Sequence, residues 1–168
     1  MITIFTDGSS RGNPGRGGWA AIIVNSEKVL ELGGRERMTT NNRMEMTAAI
    51  KALEKTPKEA EVVLYTDSSY LINGITKWIK EWKRNNWKRI NWLTKKKEEI
   101  LNRDLWMKLD GLASKRTVKW FHVSGHAGIA GNERCDEIAT AFADGESVEL
   151  FDDSLEKYNI PNILEVNS

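Results

Sequence analysis

Two short apolar runs in this 168-residue chain end alike, in IFTDGSS and LYTDSSY, each with an acid where extended backbone should give way to a loop. The second belongs to VVLYTD, a continuous apolar run of the kind expected of a central parallel strand buried on both faces. If the two strands are parallel neighbours, Asp7 and Asp67 lie side by side at one end of a sheet, where sites form in open α/β folds. Taken alone, each Asp is equally a turn residue, because Asp-Gly and Asp-Ser open turns often. The repetition favours the paired reading.

The rest of the pattern supplies such a sheet. Ile2 to Asp7, Trp19 to Val24 and Lys28 to Glu36 read as three strands, the first pair separated by SSRGNPGRGG and the second by a tight turn at Asn25 and Ser26, so they should be antiparallel neighbours. A helix is expected over Met44 to Lys55, behind a Thr and Asn start signal and ahead of Pro57. A helix-rich stretch from Tyr70 to Ser114, interrupted near Asn85 and Asn86, precedes a strand at Thr117 to Val123. The loop SGHAGIAGN then leads into a helix at Asn132 to Ala143. The expected fold is α/β: a mixed sheet of three antiparallel strands plus parallel strands, flanked by helices, in one domain over 1–143. The segment 144–168, acidic and poor in aromatics, is expected to be a mobile or loosely docked tail.

Charge matters here through its segregation, because local fields attract polyanions more than totals do. The net charge is +1, yet 77–119 carries a balance of +9 and 144–168 one of −6. No apolar run reaches the roughly 18 residues of a membrane span, and no signal series opens the chain; a soluble, cytoplasmic protein is expected. The single Cys135 excludes an internal disulfide and a multi-thiolate zinc site. Any metal must be held by oxygen.

Two further acids join Asp7 and Asp67. On the first helix Thr47, Lys51, Glu54 and Lys55 form a polar stripe, whereas Glu45 falls among Ala48, Ala49 and Ala52. A carboxylate on that buried face is costly unless its charge is compensated; the alternative is an exposed acid in a first helical turn, favoured by the dipole. Asp136 sits beside Cys135, Ile138, Ala139 and Phe142, with Glu133 and Glu137 flanking it, and by itself says little. Converging carboxylates would repel one another. A divalent cation removes the conflict, and oxygen-only ligands favour Mg²⁺ or Mn²⁺ over zinc. His126, among small residues in its loop, is either an ordinary surface histidine or a proton carrier able to swing over the acids. His122, inside a strand, reads as structural.

Four segments, IFTDGSSRGNPGRGGWA, TTNNRMEMTAAIKALE, LYTDSSYLINGI and GHAGIAGNERCDEIA, resemble those of bacterial-type (type 1) ribonucleases H in order and spacing, over about Met1 to Ala143. The resemblance implies that Asp7, Glu45, Asp67 and Asp136 bind two Mg²⁺ ions, with Mn²⁺ as a substitute. His126 would assist proton transfer or product departure, and Glu133 would tune metal occupancy. The implied reaction is hydrolysis of the RNA strand of an RNA–DNA hybrid, without strong sequence specificity, leaving 5′-phosphate and 3′-hydroxyl ends. Telling RNA from DNA means reading the 2′-hydroxyl, which falls to Gly12, Asn13, Asn41 and Asn42; Asn41 is equally suited to capping the helix.

The segment KWIKEWKRNNWKRINW resembles the family's basic protrusion, or handle, at about 77–95. Trp78 and Trp82 share a helix face and match contacts to the DNA strand's sugars, with core packing as the alternative. Lys80, Lys83, Arg84, Lys88 and Arg89 would hold backbone phosphate without reading sequence. Trp87 and Trp92 are less clearly placed, and Trp106, beside Leu105, Leu109 and Leu112, is expected in the core. Thr40 and Asn102 match residues that hold a DNA phosphate away from the cut. The chain departs from the pattern at Met38, where many relatives carry Arg and where Arg35 or Arg37 is a candidate substitute, and at Ser69, where some carry Gln. The implied partner is the hybrid duplex, bound by a monomer. Competing classes are DNA-cutting integrases, transposases and junction resolvases, which share the carboxylate fold, and a non-enzymatic hybrid-binding module, against which the complete set of four acids argues.

Overall fold

The computed structural model describes residues 1–166. Strands β1 (Ile2–Ser10), β2 (Gly15–Val24) and β3 (Lys28–Thr39) form the antiparallel meander. Helix α1 (Asn41–Glu54) leads to β4 (Glu61–Thr66), which pairs in parallel with β1. Strand β7 (Thr117–His122) pairs in parallel with β4, and α5 (Ala130–Ala143) follows. With β8 (Asp152–Ser154) the sheet has six strands in the order β7-β4-β1-β2-β3-β8. The mixed sheet flanked by helices is the fold that the sequence led us to expect.

Successive side chains of a strand point to opposite faces, and β1 is covered on both. Ile4 packs with Met46, Ala49 and Leu64 beneath α1, while Phe5 packs with Ala20, Ile22, Cys135 and Ile138 beneath α5. The close seat of α5 depends on Gly18 in β2, where an added Cβ would strike the Ala139 carbonyl oxygen and the Ala143 nitrogen. Backbone cannot yield as a flexible side chain does, so Gly18→Ala should cost about 1–3 kcal/mol, seen as a lower urea midpoint with an unchanged m value; an unchanged midpoint would reject this packing argument.

Several boundaries differ from the expected ones. Strand β1 does not stop at Asp7 but runs on to Ser10, because Ser9 and Ser10 pair with Gly18 and Gly17. The Gly-rich loop thus shrinks to 11–14. Helix α1 starts at Asn41, with the Thr40 hydroxyl accepting from Arg43 N as its cap, and α5 starts at Ala130. The stretch after Tyr70 is α2 (Ser69–Asn73), a π-helical turn (Gly74–Trp78) and α3 (Ile79–Arg84) in succession. The break near Asn85 and Asn86 then opens into a hairpin of β5 (Arg89–Ile90) and β6 (Lys97–Glu98) before α4 (Arg103–Ala113).

The acidic tail is a correction. Rather than mobile or loosely docked, the described part of 144–168 adds β8 to the open edge of β3 and buries Tyr158 and Ile163. Val148, Leu150, Phe151, Leu155 and Ile160 lie between the acids and pack on the core under α5. Judged by its net charge, the segment conceals this apolar set. Residues 167 and 168 of the tail lie outside the described residues. Among the described residues, no helix is long and apolar enough to cross a membrane.

Candidate active site

The parallel register pairs Thr6 with Thr66, so the residues that follow, Asp7 and Asp67, emerge side by side. Glu45 reaches them from the first turns of α1, its side chain on the buried face as its position among alanines required. One carboxylate oxygen from each of Asp7, Glu45 and Asp67 lies within 4.8 Å of the other two. Asp136, from α5, lines the same cavity of about 420 Å³ but stands outside that cluster.

Nothing in the described protein neutralises these acids. None of the four pairs with a lysine or arginine, and Glu45 Oε2 is buried without a hydrogen-bonding partner. Burial, and after it the neighbouring Asp67 and Asp136 charges, pushes the Asp7 carboxyl up to about 7, against a bond donated by Gly8 N (2.8 Å). Burial and then the Asp7 charge raise Glu45, while burial and the Asp136 charge raise Asp67 against the two nearby histidines. An orphaned buried oxygen among clustered, cation-free carboxylates fits a divalent ion bound through oxygen.

A folded-state pKa above the unfolded one means that the native chain binds more protons, so stability falls as pH rises between the two. For Asp7 that window runs from 3.8 to about 7. Metal-free protein should therefore lose a few degrees of Tm between pH 5 and 8 from this cluster, and millimolar Mg²⁺ should restore them at pH 8. A Tm indifferent to Mg²⁺ at pH 8 would count against an ion between these acids.

The asparagines expected to meet ribose lie at one wall. Asn41 and Asn42 line the cavity, and the Asn13 side chain accepts from Asn41 N (3.1 Å), which holds the exposed Gly12–Asn13 turn against the start of α1. Thr40, not Asn41, is the cap. His126 is exposed, in a loop whose backbone passes close to the acids: a Cβ on Gly125 would lie 3.1 Å from Asp67 Oδ2. His122 lies within β7, as expected. It is exposed at the end of β7, with Nε2 3.2 Å from the Asp67 carbonyl oxygen and 3.3 Å from the Ser69 hydroxyl. The pairing of Thr66 with His122 puts it there, and parallel pairing of two strands ending in Thr66 and His122 was the signal available.

Away from the cavity, Asn102 Oδ1 accepts from Arg43 Nη1 (3.2 Å) and its amide donates to the Tyr70 hydroxyl (3.0 Å). Arg43, passed over in the sequence, links Asn102 to the helix start that carries Thr40 and is paired with Asp104 at 2.9 Å. Met38 is exposed, and Arg35 is no substitute beside it, since its guanidinium lies over the Phe142 ring and donates to the Glu146 carbonyl.

Trp78 is exposed and Trp82 half-buried. They pack with Tyr70 and the fully buried Trp106 in one aromatic cluster, yet both also line an open groove of about 590 Å³ that begins at Tyr70. Four of the five handle cations are paired with acids: Lys83 with Asp110, Arg84 with Glu81, Lys88 with Glu99 and Arg89 with Glu98. Lys80 has no such partner among the described residues.

The geometry can now be set beside known proteins. The family model described as RNase H matches residues 1–144. A curated relative, "Ribonuclease H" of Francisella tularensis subsp. novicida (strain U112), is 48% identical over 138 residues, covering 82% of this chain and 88% of its own length. Among solved structures, LC9-RNase H1, described as a type 1 RNase H with the type 2 active-site motif, superposes with a TM-score of 0.73 at 27% identity, over 90% of this chain and 76% of that one. LC11-RNase H1, solved in complex with an RNA/DNA hybrid, shares the fold with a TM-score of 0.61 at 24% identity, over 86% of this chain and 98% of that one. Matched by that family model from its first strand to the end of α5, and by a ribonuclease H identical at nearly half of 138 aligned positions, the chain belongs to the RNase H family of ribonucleases.

Proposed function

We propose that this chain is an endonuclease that hydrolyses the RNA strand of RNA–DNA hybrids, without strong sequence specificity, at a two-metal site built from Asp7, Glu45, Asp67 and Asp136. The observation that carries the reading is the cation-free carboxylate cluster, with its orphaned Glu45 oxygen, opening into a cavity walled by Asn41 and Asn42. Mg²⁺ is the ion we assign, and Mn²⁺ its substitute. Divalent ions held there supply the positive charge that activates a water and stabilises the leaving oxygen of an in-line displacement at phosphorus.

The chain's own residues do the rest. Asn13, Asn41, Asn42 and the Gly12 backbone present short amides to a 2′-hydroxyl, which can both donate and accept. Thr40, Arg43 and Asn102 form a second polar cluster suited to a DNA phosphate, so that the duplex is fixed in register before the cut. Breaking the bond from phosphorus to O3′ leaves a 5′-phosphate and a 3′-hydroxyl, and His126, on its exposed loop, is placed to supply the departing oxygen's proton. Trp78 and Trp82 offer ring faces to DNA sugars. A cytoplasmic monomer is the accompanying proposal. Support for the substrate also comes from the hybrid complex of the structurally similar LC11-RNase H1.

The test is Mg²⁺-dependent cleavage of three labelled duplexes of one sequence. Cutting of RNA–DNA alone, with 5′-phosphate ends, is expected; equal cutting of DNA–DNA would favour the integrase and resolvase class, and binding without cutting under any divalent metal would favour a binding module.

A further inference from the structure

The four acids are not carried alike. Asp7 lies within β1, Glu45 within α1 and Asp136 within α5, each in a regular element whose backbone is held by its own ladder or helical bonds. Asp67 stands instead in the turn between the end of β4 at Thr66 and the start of α2 at Ser69. A carboxylate on a turn is placed only as well as the turn is.

Most of that turn is tied down locally. Ser68 N donates to the Thr66 hydroxyl (3.1 Å), the Ser68 carbonyl accepts from Ile72 N (3.2 Å), and the Ser68 hydroxyl caps α2 by accepting from Leu71 N (3.1 Å). The Asp67 carbonyl lies past the ladder and before the helix, so neither supplies it with a donor. Among the described residues its one donor is the ring of His122, with Nε2 3.2 Å away. Parallel pairing of Thr66 with His122, continued by the bond from Val123 N to the Thr66 carbonyl (2.9 Å), sets the ring beside the turn.

A carbonyl oxygen only accepts, so Nε2 carries the hydrogen in this contact. The Ser69 hydroxyl, 3.3 Å from the same nitrogen, then accepts a share of it. Of the two acceptors the carbonyl matters more to the acids, because it belongs to the residue that bears one of them. Both His122 and Ser69 are exposed, so water can take the place of either bond and the core does not depend on them.

We infer that His122 is a positioning residue of the acid cluster: its ring N–H holds the Asp67 main chain and thereby fixes where the Asp67 carboxylate meets Asp7 and Glu45. The inference rests on the metal-site reading above. Groups that hold a ligand from behind commonly govern metal affinity or activity by about 10–100-fold, because a site loosened at its support loses its geometry while its residues remain.

Three substitutions of His122 separate the N–H from the ring. Gln carries its amide nitrogen at about the reach of Nε2, Asn only at about that of Nδ1, and Phe keeps the ring without a donor. His122→Phe and His122→Asn should each lower kcat for hybrid cleavage about tenfold or more, with KM and metal-free affinity for hybrid within about twofold of wild type. Both should also need about tenfold more Mg²⁺ for half of the Tm rise at pH 8, while their metal-free Tm stays within about 2 °C of wild type. His122→Gln should restore kcat and the Mg²⁺ midpoint.

Wild-type kcat and Mg²⁺ midpoint in the Phe and Asn variants would overturn the inference. So would a Gln variant as impaired as Phe, since the ring and not its N–H would then matter, or a raised KM at unchanged kcat, since the ring would then touch substrate. Ser69→Ala tests the other acceptor: the fold-loss from His122→Phe should be the same with Ser69 or Ala at that position, and its disappearance beside Ala would show that the ring acts through Ser69 instead. If wild-type protein neither cleaves hybrid nor gains Tm from Mg²⁺, the site reading fails and this inference with it. If it does both while the His122 variants match it, only the role of His122 fails.

Discussion

Asp7→Asn and Asp67→Asn should each lower kcat for hybrid cleavage by at least about 10³-fold, an increase of about 4 kcal/mol in the barrier, while affinity for the hybrid in the absence of metal should not fall. The two effects should separate because the acids and the residues proposed to hold the duplex are different parts of the molecule. Asn keeps the size of Asp and its carbonyl oxygen can still accept from Gly8 N, as Asp7 does, so the backbone has no reason to move. What disappears is one charge of a cluster whose oxygens lie within 4.8 Å of one another. Removing that charge relieves repulsion, and metal-free Asp7→Asn should therefore melt at a higher temperature than wild type at pH 8 and gain less from Mg²⁺. An inert scaffold residue would give neither the rise in Tm nor the loss of the Mg²⁺ response. Turnover near wild type in both variants would remove these residues from the reaction.

The site's skeleton was legible because it depends on short-range rules. An apolar run that ends in Thr-Asp, twice, needs only parallel register to bring two acids together, and an acid among alanines on a helix needs only the 3.6-residue period to be seen as buried. Glu45 is for that reason the most informative of the four. Asp136 was weaker in the sequence and is geometrically the outlier, lining the cavity from α5 without joining the cluster. What escaped reading depends on partners far apart in the chain. The fate of the handle cations was set by Asp110, Glu98 and Glu99, residues that β5–β6 pairing and α4 bring back. His122 reads in the sequence as a structural residue inside a strand, but β7 is the sheet's edge and the side chain is exposed beside Asp67. The tail was misjudged for the same reason, since its docking is decided at Glu31, more than a hundred residues away.

That residue gives the second large effect. Arg134→Ala should destabilise the fold by about 3–5 kcal/mol, the usual cost of leaving a buried charge without its partner, and lower Tm by about 10 °C. Glu31 is a charged side chain on the inner face of β3, 1% exposed. Arg134 donates to it twice, from Nε at 2.7 Å and Nη2 at 3.0 Å, while the Tyr158 hydroxyl (2.7 Å) and Phe151 N (3.0 Å) donate from the tail. Burial alone would raise the Glu31 carboxyl, but the bonds from Arg134, Tyr158 and Phe151 outweigh it and hold the group below its usual value. A lowered folded-state pKa contributes stability that is complete above the unfolded value, 4.5, and is lost as pH falls through the folded one. Without Arg134 the buried carboxylate loses its main support and should take up a proton more readily, so the deficit against wild type should be greatest near pH 7 and shrink toward pH 4. Arg134→Met combined with Glu31→Leu should recover part of the loss, because an apolar pair leaves no charge stranded. A deficit below about 1 kcal/mol, or one unchanged between pH 7 and 4, would mean that the tail is held by Tyr158, Ile163 and the β3–β8 pairing alone.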